Sequence, residues 1–115
     1  MHEFSVCQAL IRQIESIAEN HDAKAVKRIV LQIGPLSGIE IPLLEQAFPF
    51  VATGTLAEMA TLVIEPTSVV VRCRVCGAEN ETQPNRLSCA ACGDIRTRLI
   101  SGDQMMLMRL EMEIE

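Results

Sequence analysis

The chain of 115 residues is long enough for one domain, or one domain with a small attached module, around a single hydrophobic core. Its net charge of −5 and its lack of Trp and Tyr exclude nucleic acid as the expected partner, because phosphate binding needs clustered Lys and Arg and single strands need stacking aromatics. No apolar run approaches a membrane span and the first residues do not resemble a signal peptide. The expected location is therefore cytoplasmic, where five cysteines read as metal ligands and not as a secreted disulfide framework.

Met1, His2 and Glu3 belong to no apolar pattern, yet they share a chemical property. A histidine behind a free amine offers the Met1 amine, its own backbone nitrogen and its imidazole Nδ1 to one ion, closing five- and six-membered chelate rings. Glu3 can add its backbone nitrogen or its carboxylate as a fourth ligand. Planar nitrogen donors suit Ni(II) or Cu(II). Copper stands above nickel in the divalent affinity series, so selection of nickel would have to come from supply and partners. The bulk of His2 argues for retention of Met1. The bland alternative is a His-Glu pair after a start residue with no role.

From Ser5 to Asn20 the sequence predicts an amphipathic helix, with Ser5 and Gln8 at capping-box spacing. Val6, Cys7, Leu10, Ile11, Ile14, Ile17 and Ala18 form its apolar stripe, and Asn20-His21-Asp22 its stop. Cys7 reads as a core residue and His21 as a solvated turn residue. A strand follows over Ala25–Ile33, ended by Gly34-Pro35-Leu36-Ser37-Gly38. A second helix is expected over Pro42–Val51, with Pro42 in its first turn. Pro49 removes a hydrogen bond and crowds the turn before it, which predicts a kink or a last turn starting there. Strand signals return over Thr61–Glu65, Ser68–Arg72 and Ile95–Ile100. The final strand alternates: Met106, Met108, Leu110, Met112 and Ile114 form the face expected to be buried, and Leu107, Arg109, Glu111 and Glu113 the wetter one. This alternation favours core packing over thioether binding of Cu(I) by the methionines.

Cys73-Arg74-Val75-Cys76-Gly77 and Cys89-Ala90-Ala91-Cys92-Gly93 carry the strongest chemical signal. Two residues between thiols let one turn aim both sulfurs at a point, and the following glycine suits the left-handed backbone of such a turn. Residues 77–88 can form a short hairpin that brings the two turns together. Cys73, Cys76, Cys89 and Cys92 are thus the expected ligands of a structural, closed Zn²⁺ site. Iron in a rubredoxin-like carrier, two disulfides and unrelated thiols are the alternatives. Four thiolates leave no position for a catalytic water. With no nucleophile–base pair and no phosphate-binding glycine loop either, the expectation is that the protein is not an enzyme.

The expected fold is α+β: a small mixed sheet of about three strands packed with two helices, plus an inserted zinc ribbon. The boundaries expected are 1–67 with 101–115 for a discontinuous α/β domain and 68–100 for the ribbon. One functional reading of such a chain is a zinc-ribbon module that binds protein or nucleic acid.

The order of the motifs supports another. A chain with Met1-His2-Glu3, a helix containing Ser5-x-Cys7-Gln8, an Ile33-Gly34-x-Leu36-Ser37 turn and a double cysteine knuckle resembles the HypA/HybF family of nickel metallochaperones over essentially its whole length. The resemblance implies Ni²⁺ bound in transit at His2 with the Met1 amine and Glu3, and structural Zn²⁺ on Cys73, Cys76, Cys89 and Cys92. It implies delivery to a [NiFe]-hydrogenase large-subunit precursor with help from a HypB-type GTPase. A homodimer is left open; no nucleic acid and no membrane partner are expected.

Overall fold

In the computed structural model, which describes residues 2–114, two helices and six strands follow the order α1 (His2–Asn20), β1 (Ala23–Ile33), α2 (Ile41–Ala52), β2 (Thr61–Pro66), β3 (Val69–Cys73), β4 (Glu79–Thr82), β5 (Thr97–Ser101) and β6 (Met105–Ile114). The strands form two three-stranded sheets, β2-β1-β6 and β4-β3-β5. The chain divides into two compact units. One comprises Met1–Leu31, Ile39–Glu65 and Leu107–Glu115, the other Gln32–Gly38 and Pro66–Met106.

In the first unit, α1 buries Cys7, Leu10, Ile11, Ile14 and Ala18 of the predicted stripe, leaves its Val6 and Ile17 half-buried, and buries Glu3 in addition. The helix begins at His2, earlier than the capping pattern at Ser5 suggests. Glu3 explains the difference: its carboxylate accepts a hydrogen bond from the Glu40 amide at 3.2 Å, and negative charge is favoured in a first helical turn. At the other end the His21 and Asp22 amides donate to the Ala18 and Glu19 carbonyls. Asp22 takes φ 54, and the exposed His21 sets Nδ1 2.9 Å from the Ile17 carbonyl, so a donating Nδ1–H caps a free helix carbonyl.

Helix α2 packs on α1 and buries Leu44, Phe48 and Ala52 at four-residue intervals. Pro42 lies in its first turn, and the helix ends at Ala52, so Pro49 opens the last turn as its chemistry requires. The Thr53 hydroxyl donates to the Pro49 carbonyl at 2.7 Å. Under the helices, β1 contributes Val26, Ile29, Val30 and Leu31 to the core.

Strand β6 departs from expectation. Met106, Met108 and Ile114 are 49, 48 and 55 % exposed, and no residue of the strand is fully buried. Its alternation is real, but it belongs to an edge strand flanked only by β1.

In the second unit β3 pairs antiparallel with both neighbours, setting Val71 against Asn80 on β4 and against Leu99 on β5. A register shift falls between Val70 and Val71 on the β5 side. Strand β4 carries no apolar pattern and is absent from the sequence expectations. Within residues 77–88 the expected short hairpin takes a minimal form: β4 folds back on β3, and Gln83 and Arg86 then form an antiparallel bridge across a two-residue turn. The breaker cluster after β1 is held by amide bonds from Gly34 to the Gln104 carbonyl (2.8 Å) and from Leu36 to the Gly102 carbonyl (2.7 Å). Gly34 is required there: a Cβ would stand inside the van der Waals radius of the Gly102 carbonyl.

Candidate metal centre

The two knuckles are built alike, atom for atom. The amides of Val75 and Cys76 point at Cys73 Sγ from 3.3 and 3.4 Å, and those of Ala91 and Cys92 at Cys89 Sγ from the same distances. The Gly77 amide donates to the Cys73 carbonyl at 3.1 Å and the Gly93 amide to the Cys89 carbonyl at 2.9 Å, with φ of 77 and 78. Such φ values are readily adopted by glycine alone. Each loop then closes five residues on, through bonds of 2.9 Å from the Cys73 amide to the Ala78 carbonyl and from the Cys89 amide to the Asp94 carbonyl.

This repetition brings the four sulfurs together. Cys73, Cys76, Cys89 and Cys92 each present Sγ within 4.8 Å of the others, and the Cys73–Cys92 and Cys76–Cys89 separations are both 3.6 Å. A disulfide bond is about 2.05 Å long, so these are not disulfides. A tetrahedral ion with metal–sulfur bonds of about 2.3 Å has edges of about 3.8 Å, close to the two 3.6 Å separations. The donor set therefore fits a thiophilic dication. The fifth cysteine, Cys7, is fully buried in the other unit and belongs to its core.

Four thiolates this close repel one another, and the backbone decides which ionise first. The Cys76 amide, ahead of other causes, lowers the Cys73 thiol, and the Cys92 amide likewise brings Cys89 down to about 6. At Cys76 the Ala78 amide pulls downward but the Cys89 sulfur and burial outweigh it. At Cys92 the Asp94 amide is outweighed in the same way by the Cys73 sulfur, burial and the remaining thiols, pushing it up to about 12. A bound dication removes this asymmetry by favouring thiolate at every position. The second knuckle is braced by Asp94, whose carboxylate accepts from the Arg96 amide (2.8 Å), Nε (3.0 Å) and Nη2 (2.9 Å). The Arg96 side chain, then its amide, holds the Asp94 carboxyl at about 2.

The N-terminal candidates are seen in part, since Met1 lies outside the described residues. His2 opens α1 and is exposed. Glu3 is only 7 % exposed, and its carboxyl is held below the ordinary 4.5 first by the Glu40 amide and then by its own. Sequence reasoning missed Glu40, and no signal could have found it, because its backbone and not its side chain makes the contact. Among the described residues the four-cysteine group is the only cluster of three or more potential ligands, and no helix is long and apolar enough to cross a membrane.

Fold and site together define a small α+β protein carrying a four-thiolate knuckle pair, a class to which structural metal sites belong. Comparison with known proteins supplies the family. The HypA model, described as hydrogenase/urease nickel incorporation metallochaperone, matches residues 1–112. The chain is 50 % identical to the hydrogenase maturation factor HypA of Nitrosospira multiformis over 97 % of each sequence, and 43 % identical to that of Aquifex aeolicus over the full length of both. The solution structure of the Ni metallochaperone HypA from Helicobacter pylori superposes with TM-score 0.73 at 28 % identity, covering 98 % of each chain. The chain belongs to the HypA family.

Proposed function

We propose that this protein binds Ni(II) at its N-terminus and delivers it to a [NiFe]-hydrogenase large-subunit precursor in the cytoplasm, assisted by a HypB-type GTPase. It carries metal and catalyses no reaction. The family match across residues 1–112 carries this reading. The proposed nickel ligands are the Met1 amine, the His2 backbone nitrogen and imidazole, and a donor from Glu3. Cys73, Cys76, Cys89 and Cys92 would hold structural zinc. The division of labour proposed is a nickel domain over 1–67 with 101–115 and a zinc ribbon over 68–100.

Physical chemistry supports the division. The first amides of a helix have no intrahelical acceptor, so the His2 nitrogen can meet a metal without breaking a helical bond. The Glu3 carboxylate accepts from the Glu40 amide and from its own amide, so either Glu3 donor must give up a hydrogen bond to reach the metal. A bare dication is disfavoured at the positive end of a helix, while each deprotonated amide returns a negative charge. The balance suits a carrier, which must fill and then empty. The ribbon ligands, by contrast, form a closed set with no vacant position for exchange.

Nickel titration of untagged protein, with zinc measured in parallel, tests the reading. His2→Ala, or a short extension before Met1, should abolish tight nickel binding and leave zinc and fold intact. Equal binding by the extended protein would place the nickel ligands elsewhere. Because the amine and amides must lose protons to coordinate, affinity should fall steeply from about pH 7.5 to about pH 5.5, below the usual α-amine range. Equal affinities at the two pH values would sink the terminal-amine chelate.

A further inference from the structure

Strand pairing in the ribbon unit gathers arginines that are far apart in the sequence. The chain carries a net charge of −5, yet half of its ten Lys and Arg residues lie between Arg72 and Arg98. Strand β3 sets Arg72 opposite Arg98 on β5. Beyond it the Arg74 amide donates to the Arg96 carbonyl at 2.8 Å, which carries the same antiparallel register into a second pair, Arg74 with Arg96. Residues two apart share a face, so Arg72, Arg74, Arg96 and Arg98 stand together on one side of the β3–β5 ladder. All four are exposed, while Val71 and Cys73 are buried on the other side.

Like charges directly opposite one another destabilise a sheet, and here two such pairs follow in succession. Two of the heads are partly neutralised. The Glu79 carboxylate accepts from Arg72 Nε at 2.9 Å, and Asp94 holds Arg96. Arg74 and Arg98 have no acidic partner among the described residues. They are diagonal neighbours on the ladder, a separation of about 7–8 Å. Carboxylates at alternate residues of an extended chain repeat every 6.6–6.8 Å or so, about the same interval. A guanidinium fork binds a carboxylate through two parallel hydrogen bonds, which favours a carboxylate ligand here.

The surroundings favour protein over nucleic acid. The chain has no Trp or Tyr to stack on bases, and Glu79 and Asp94 stand among the arginines, where a continuous line of phosphates would meet them. Val75 and Ile95, next in sequence to Arg74 and Arg96, are 55 and 84 % exposed. Exposed apolar side chains beside arginine are features of a protein-binding surface.

We propose that the arginine face of β3–β5 docks an extended acidic segment of a partner protein, with carboxylates at alternate positions held by Arg74 and Arg98.

The probe is a labelled peptide of alternating Glu and Ser, about eight residues long and kept extended by its own charge, titrated with the full metal-loaded chain by fluorescence anisotropy. A peptide with Gln for each Glu and an oligothymidylate of equal length are the comparisons. The acidic peptide should bind, more weakly as salt is added, and at least about tenfold more tightly than either comparison. Arg74→Gln combined with Arg98→Gln should weaken it at least about tenfold. Arg12→Gln combined with Lys27→Gln removes the same charge from exposed positions elsewhere and should leave affinity within about twofold. No binding of the acidic peptide, equal affinity for the Gln peptide, equal losses in the two double variants, or an oligothymidylate bound as tightly would each overturn the proposal. Arg74 lies within the first knuckle, so metal content and far-UV circular dichroism are the fold controls. Should that variant lose metal, Arg98→Gln alone decides: it should weaken the acidic peptide at least about threefold, and unchanged affinity would refute the docking surface.

Discussion

The two units of this chain reach order by different physics. The helical unit buries Cys7, Leu10, Ile11, Ile14, Ala18, Val26, Ile29, Val30, Leu31, Leu44, Phe48, Ala52 and Ala57. Among the described residues, the buried apolar side chains of the ribbon unit are Ile33, Val69, Val71, Cys73 and Cys89, and two of these belong to the four-thiol cluster. So few apolar residues supply little hydrophobic stabilisation, and small modules of this kind draw on a metal for the remainder. What the difference teaches is that a chain can hold a unit with a full apolar core beside one whose order would rest on a metal at its thiol cluster. Each should then fail by its own route.

Metal removal is the strongest way to separate them. Structural zinc supplies on the order of 10–16 kcal/mol of apparent binding free energy, much of it expressed as folding. Chelation, or Cys73→Ala, should therefore unfold β3–β5, while the α1–α2 signals persist in a two-dimensional amide spectrum. Loss of both units together would show that the ribbon metal also sustains the helical core. The reciprocal experiment is Ile14→Ala, at a fully buried position. It should destabilise the helical unit by about 2–5 kcal/mol without lowering the metal content of the ribbon. A drop in bound zinc at that position would break the separation from the other side.

The smallest effect concerns the cysteines themselves. Burial raises the Cys7 thiol above the ordinary 9.0, whereas amides aimed at Cys73 and Cys89 lower theirs. For Cys7 the sign follows from linkage. Above about pH 9 the unfolded chain ionises this thiol and the folded chain keeps it protonated, so stability falls as pH rises through that region. Cys7→Ala should remove this part of the alkaline loss, read from denaturation midpoints against pH. An unchanged alkaline slope would mean that Cys7 ionises as readily folded as unfolded. Thiol reagents should likewise leave Cys7 unmodified in native protein and modify it after denaturation.

Much of this was readable beforehand, for reasons that differ by region. The α1 stripe follows from helical periodicity, and the knuckles follow from spacing, because two intervening residues and a glycine admit few other turns. Pro42 and Pro49 mark the start and last turn of α2 through the hydrogen bonds they cannot make. Strand β4 escaped because Glu79-Asn80-Glu81-Thr82 has no apolar residue to reveal it. Its pairing with β3 depends on backbone bonds that any side chain permits. The beginning of α1 escaped because the Glu40 amide that anchors Glu3 lies far along the chain. The face of β6 was read correctly as apolar and wrongly as buried, since alternation reports which side a residue takes and not whether anything covers it.

By itself, then, the sequence determined the helices, the pairing of the four thiols into two knuckles and the punctuation between elements. These rest on interactions among residues within a few positions of one another, where bond geometry leaves little freedom. Tertiary structure alone decided which apolar faces are covered, that Glu3 is tied to Glu40, and that the paired turns close to within 3.6 Å of each other at their sulfurs. Those outcomes depend on distant segments meeting, and no local pattern encodes which surface another segment will reach.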